Sequence, residues 1–165
     1  MMVEDVIKVL IGQEELLQFS HFTNEDAWEL GSLMVAEAAK NRLPIAISIR
    51  LNSGYTVFQY GFSGTNCNNE IWMTKKFNTV RNMEMSSLRL YMQLKKNNES
   101  LEDRGLNSQD YVASGGGFPI RVAGVGVIGC VIVSGMEHIA DHDFATSCIS
   151  RYLRIDGIPR LTVKY

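Results

Sequence analysis

Apolar residues recur at helical spacing from the start of the chain. Val6, Ile7 and Leu10 share a face that Leu16 and Leu17 continue, which predicts an N-terminal helical segment over residues 1–20 or so. Thr23, with Asp26 three positions on, has the form of a capping box. Ala27, Leu30, Met34 and Ala38 then repeat on one side, predicting a second helix that Pro44 bounds. The period then changes to two: Ile45, Ile47, Ile49 and Leu51 alternate with Ala46, Ser48, Arg50 and Asn52, as in a strand with one buried face. Asn52-Ser53-Gly54 supplies a turn, and the aromatic and β-branched run 55–62 completes an antiparallel hairpin. Within residues 70–96, Trp72, Lys76 and Val80 share one helical face and Met85, Leu88 and Met92 another, predicting two helices broken near Asn82. Residues 97–110 turn polar around Gly105 and predict the most flexible internal loop, with one helical turn at 101–104. Strand pieces at 111–113, 118–123 and 127–134 follow, separated by glycines. The pattern then predicts a helix over 141–153 with Phe144, Cys148 and Tyr152 on one face, and allows a last strand at 161–165. Without a repeat or a linker, the pattern is that of a single α+β domain over residues 1–165.

Composition narrows the partners. With 165 residues, 45% hydrophobic and 21% charged, and a net charge of -2, the chain lacks the basic excess that neutralising nucleic-acid phosphates requires. The longest apolar stretch, 125–133, carries glycines and falls well short of the roughly 20 residues of a membrane span. Glu4, Asp5 and Lys8 interrupt the N-terminal segment, which therefore does not read as a secretion signal, and a cytoplasmic location is expected. Cys67, Cys130 and Cys148 are widely spaced and odd in number. They are expected to be reduced, with Cys130 and Cys148 packed in the core.

Several residue groups could carry chemistry. Gly124-Val125-Gly126-Val127-Ile128-Gly129 matches GxGxxG, but the β-branched run that follows favours a strand where dinucleotide binding needs a helix, so it reads as a turn and strand entry. Gly115, Gly116 and Gly117 could cradle an anion with their backbone N–H groups, or let the chain approach another backbone closely. His138 and His142 stand at i, i+4 with Glu137, Asp141 and Asp143 nearby. His142 is the candidate metal or haem-iron ligand, although a helix starting only near Asp141 would leave His138 outside it. Trp72, Lys75 and Lys76 offer an aromatic face with two cations, suited to a planar anionic ligand, or else a core tryptophan beside solvated lysines. Ser86 and Ser87 have no histidine and acid beside them in sequence that would make either a nucleophile.

The stretch 111–120, ending Gly-Gly-Gly-Phe-Pro-Ile, then Gly126-Val-Ile-Gly129, Val133-Ser-Gly135 and Asp141-His142, resembles the haem-degrading-domain superfamily of GlcG and HbpS proteins. Trp72, Lys75, Lys76, Val80 and Ser86-Ser87 are further similar to one branch of it, a set of largely uncharacterised small proteins of bacteria and fungi. The resemblance covers residues 23–153. It implies a profilin-like antiparallel sheet of about five strands flanked by helices, a homo-oligomer, and haem or another anionic tetrapyrrole as ligand. Fold does not fix function. Three readings therefore stand: a small-ligand-binding protein using Trp72, Lys75, Lys76, Gly115, Gly116, Gly117 and His142; an oligomeric scaffold joined through the N-terminal helix and a sheet edge; and an enzyme acting on a small organic substrate.

Overall fold

The computed structural model describes residues 1–162, and the capping signals act where the sequence places them. Helix α1 (Val3–Leu16) is followed by a short strand β1 (Gln18–Phe19) and by α2 (Asn24–Lys40). At the start of α2 the Thr23 hydroxyl accepts the Asp26 N–H at 3.2 Å, and the Asp26 carboxylate accepts the Thr23 N–H at 2.7 Å. The expected capping box is thus closed with Asp in the usual Glu position. Strands β2 (Ala46–Leu51) and β3 (Thr56–Gly61) form the hairpin. Helices α3 (Cys67–Met83) and α4 (Ser87–Asn97) are separated by Glu84, whose φ of 53° ends α3, and Ser86 caps α4. A 3-10 turn at Glu102–Arg104 precedes β4 (Gly117–Val122), β5 (Gly126–Ser134) and α5 (His138–Leu153). No described helix is long and apolar enough to cross a membrane.

The five-stranded sheet has the order β1-β4-β5-β2-β3. Its last four strands are antiparallel, but β1 runs parallel to β4, so the sheet is mixed where a wholly antiparallel one was expected. Two residues are too few for an alternating pattern, and β1 exists because Gln18 and Phe19 find the free edge of β4. The expected strand at 111–113 does not form. Its polar backbone is taken up by a helix side chain instead: Val112 N–H donates to Thr79 Oγ1 at 3.1 Å, and that hydroxyl donates to the Val112 carbonyl at 2.8 Å. Leu161 and Thr162 are in no strand, and the rest of the proposed final strand lies outside the described residues.

Both faces of β2 are covered, which corrects the one-sided strand read from its alternation. Ile47 and Ile49 join Leu30, Met34, Phe118, Val131 and Ile149 in the main core beneath α2 and α5. On the other face, Ala46, Cys130 and Ile132 meet Met73, Phe77 and Val80 of α3. Arg50 is buried there, with its guanidinium bonded to Ser48 Oγ, Thr74 Oγ1, Gln59 Oε1 and Glu70 Oε1. A charge can lie under a helix when its donors are satisfied in this way. Helix α1 packs on α4 of its own domain through Leu10, Leu88 and Met92.

Candidate functional site

The site lies where β5 ends and the layers on the two faces of the sheet meet. After Ser134 the chain passes through Gly135, at φ 142°, and enters α5 at His138. Glu137 caps this helix by accepting the Ile139 N–H at 3.0 Å, so α5 starts three residues earlier than the acidic pair suggested, and both His138 and His142 lie on it. Asp141 Oδ1 accepts the Met136 N–H at 3.0 Å, and Oδ2 lies 3.1 Å from Lys76 Nζ, which also donates to the Val133 carbonyl at 2.8 Å. Lys76 is 3% and Asp141 2% exposed. Burial pushes the Lys76 ammonium down against the pull of Asp141, and pushes the Asp141 carboxyl up against that of Lys76. The Lys76 side chain, read from sequence as a ligand-binding cation beside Trp72 or else a solvated lysine, is therefore a buried link between α3, β5 and α5.

Over this pair opens a hollow of about 350 Å³. Asn68, Asn69 and Trp72 of α3, Ser114, Ser134 and His138 line it together with Lys76 and Asp141. The first turns of both α3 and α5 face it, so two helix N-termini add partial positive charge to a wall rich in neutral donors. Trp72 stands 40% exposed at the rim. Lys75 Nζ sits 5.8 Å from the Trp72 ring centre and donates to the Ser108 carbonyl at 2.9 Å, which sets it beside the hollow and not in its wall.

The glycines stand behind that wall. Gly115 N–H donates to His138 Nδ1 at 3.2 Å, the Gly116 carbonyl accepts the Val133 N–H at 2.9 Å, and Gly117 N–H donates to Ser87 Oγ at 2.9 Å. A Cβ at Gly115 would strike the His138 carbonyl, one at Gly116 the Val133 carbonyl, and one at Gly117 would come 2.9 Å from Val80 Cγ2. Gly116 also has φ 121°. Glycine is thus needed here for close backbone approach, and within 114–117 it is Ser114 that reaches the hollow.

The two histidines have separate surroundings. His138 Nδ1 accepts from Gly115, so the neutral ring carries its proton on Nε2, 3.2 Å from Glu137 Oε1. Burial lowers its pKa, with Lys76 adding to the effect and Glu137 opposing it. His142 is fully buried with its ring tilted 63° to that of Phe118, and its Nε2 lies 2.8 Å from Gln13 Oε1. Gln13 Nε2 donates to the Pro159 carbonyl at 2.9 Å, which turns its Oε1 toward His142 as an acceptor. Burial, with His138 nearby, holds the His142 pKa at about 3, so the ring is neutral.

The structure therefore brings Trp72 and Lys76 together, sets Lys75 beside them, and holds His142 and the glycines behind. Sequence reasoning missed Asn68, Asn69 and Ser134. The available signal was Asn66 with Asn69 three residues on, a capping pair that marks where α3 begins and which side chains its first turn presents. Cys130 and Cys148 are buried and unpaired, as expected, with burial raising the Cys148 thiol to about 12. Ser86 caps α4 and Ser87 serves Gly117, so both hydroxyls have backbone duties. Among the described residues no group of three or more His, Cys, Asp or Glu could hold a metal ion. Two larger hollows, of about 580 and 590 Å³, lie elsewhere and reach neither Trp72 nor Lys76.

The sequence model of the haem degrading protein HbpS-like family matches residues 22–150. The chain belongs to the HbpS-like family. A UPF0303 protein of Serratia proteamaculans is 40% identical to this HbpS-like chain over 154 residues, covering 93% of it and 95% of the relative. A UPF0303 protein of Yersinia enterocolitica is 38% identical over 147 residues, 88% of this chain and 85% of its own. Among solved structures, the Ybr137w protein superposes with a TM-score of 0.82 at 25% identity, over 90% of this chain and 87% of that one. A PduOC:heme complex superposes with a TM-score of 0.66 at 20% identity over 85% and 99%, which shows a shared fold.

The family name brings haem into question, and the residues answer it in two parts. An axial bond to iron needs a histidine lone pair facing the ligand. The lone pair of His138 is engaged by Gly115 N–H; that of His142 is on Nδ1, because its Nε2–H donates to Gln13 Oε1, and this nitrogen is buried without a partner on a residue that does not line the hollow. An iron–histidine bond does not fit this arrangement. A carboxylate does fit, since Asn68, Asn69, Ser114 and Ser134 carry donors around the hollow.

Proposed function

We propose that this HbpS-like protein binds a small anionic ligand in the hollow between the first turns of α3 and α5. The observation that carries this reading is the convergence of two helix N-termini and several neutral donors over a buried Lys76–Asp141 pair, with Trp72 at the rim. The ligand presents a carboxylate to the hollow and lays a flat face on Trp72, with Lys75 adding charge beside it. Haem or another tetrapyrrole meets this description through its propionates, held at its edge and without an iron–histidine bond. The family assignment supports that ligand class.

Titration of haem and of iron-free protoporphyrin, followed by their absorption bands, tests it. The two are expected to bind with similar affinity, and Trp72→Ala and Lys75→Ala to weaken both by roughly three- to tenfold, the range of exposed cation–π and charge contacts. Unchanged affinity in both variants overturns the placement. Haem binding far tighter than protoporphyrin, with a nitrogen-ligated spectrum lost in His142→Ala, overturns the exclusion of an iron ligand.

A second reading, self-assembly, is favoured by the outer edge of β3. Among the described residues this strand pairs only with β2, and Trp28 (68% exposed) and Tyr60 (45% exposed) lie exposed on α2 and β3. Free strand edges are ready joining surfaces. Light scattering is expected to show an oligomer that Tyr60→Lys dissociates; a monomeric parent chain contradicts it.

A further inference from the structure

Lys76 and Asp141 have a chemistry that ligand binding alone does not use. The Lys76 amine is buried, yet its side chain lines the hollow, and its three donor positions meet two acceptors, the Val133 carbonyl and Asp141 Oδ2. We propose that Lys76 is the nucleophile of an imine-forming site whose substrate is a small 2-oxo carboxylate. The inference rests on the reading that the hollow receives a carboxylate, and it names the class. A volume of about 350 Å³ suits a molecule of a few carbons. Its carboxylate would take the donors of Asn68, Asn69, Ser114 or Ser134, which leaves the adjacent carbonyl for Lys76.

Burial favours the free amine, and Asp141, 3.1 Å away and itself driven toward its protonated form, is placed to take the proton. The amine lone pair then attacks the carbonyl carbon. The new C–N bond forms as the carbonyl π pair moves to oxygen, and a proton passes from nitrogen to that oxygen to give a carbinolamine. Asp141 returns its proton to the hydroxyl, which leaves as water, and the nitrogen lone pair closes the protonated imine. The net change joins ammonium and ketone into an iminium with loss of one water. No oxidant or reductant is consumed, and Asp141 ends as it began.

The test incubates the full chain with pyruvate and cyanoborohydride, which reduces any iminium to a stable amine, and maps the adduct by peptide mass spectrometry. The expected result is modification at Lys76 ahead of exposed lysines such as Lys40 and Lys95, since the hollow holds the carbonyl beside Lys76 and burial favours its free amine. Lactate, which keeps the carboxylate and lacks the carbonyl, is expected to slow it by competition. Modification spread over the exposed lysines, or none at all, overturns the proposal without recourse to a variant that could fail to fold. Amide shifts measured in parallel separate the two readings. Pyruvate or lactate shifting Asn69 and Ser114 with no adduct at Lys76 overturns the imine alone. No shift and no adduct overturns the carboxylate site as well.

Discussion

His142 shows how far one residue's role can move between sequence and structure. Its spacing from His138 suggested a ligand, but the side chain is a neutral core group joining α5 to Gln13 of α1. With its pKa held at about 3 against an ordinary 6.5, the folded protein refuses a proton that the unfolded chain accepts. Its contribution to stability is therefore complete above pH 6.5 and is lost as pH falls from there toward 3, by at most about 1.4 kcal/mol per pH unit. Denaturant unfolding across this window is expected to show a steeper loss in the parent chain than in His142→Gln; equal slopes contradict the assignment. Gly116 and Gly126 make a second pair. Both have φ near 120° (121° and 117°), but only Gly116 has no room for a Cβ. Gly126→Ala is expected to cost about 1–2 kcal/mol in backbone strain, and Gly116→Ala 3 kcal/mol or more, in thermal or denaturant unfolding. That Trp72 and Lys76 line the same hollow was legible, because they stand one helical turn apart on α3. The burial of Lys76 was not, since it depends on Asp141, 65 positions away along the chain.

At the scale of elements, the second helix, the hairpin and the break before α4 were legible, because each is signalled within a few residues by a cap, a turn or a change of period. Strand β1 and the start of α5 were not. The first is made by its partner β4, and the second by Glu137 acting as a cap where Asp141 drew attention as the first-turn acid. The N-terminal helix could, from its sequence, dock on the domain or on a neighbouring subunit, and α1 packs on α4 of the same chain. Glu14 accepts the Ser86 N–H at 2.8 Å and pairs with Arg89 at 2.7 Å, while Gln13 serves His142. Deleting residues 1–16 would expose the Leu88 and Met92 surface and leave Arg89 and His142 without these partners. The expected outcome is a loss of several kcal/mol in unfolding free energy, on the order of 3 or more, with any oligomer contact through β3 retained. Dissociation to a monomer of unchanged stability would contradict this role for α1.

The whole molecule is a helix-covered mixed sheet in which the polar work is concentrated on the α3 side. Arg50 lies beneath α3, bonded to Ser48 and Gln59 of the sheet and to Glu70 and Thr74 of that helix, and the Lys76–Asp141 pair lies at the end of β5 where α3 meets α5. The family resemblance conveyed the architecture, because sheet order and helix placement follow the core pattern. It could not convey the site, whose wall is assembled from four separate stretches of chain: 68–76, Ser114, 134–136 and 138–141. The central claim is that an anionic ligand enters that wall. Amide chemical-shift mapping during titration with protoporphyrin tests it most directly. The account predicts shifts centred on Asn68, Asn69, Trp72, Ser114 and His138, saturating together. Shifts centred instead on the hollow around Glu37 and Arg151, or no saturable shift at any residue, would contradict it.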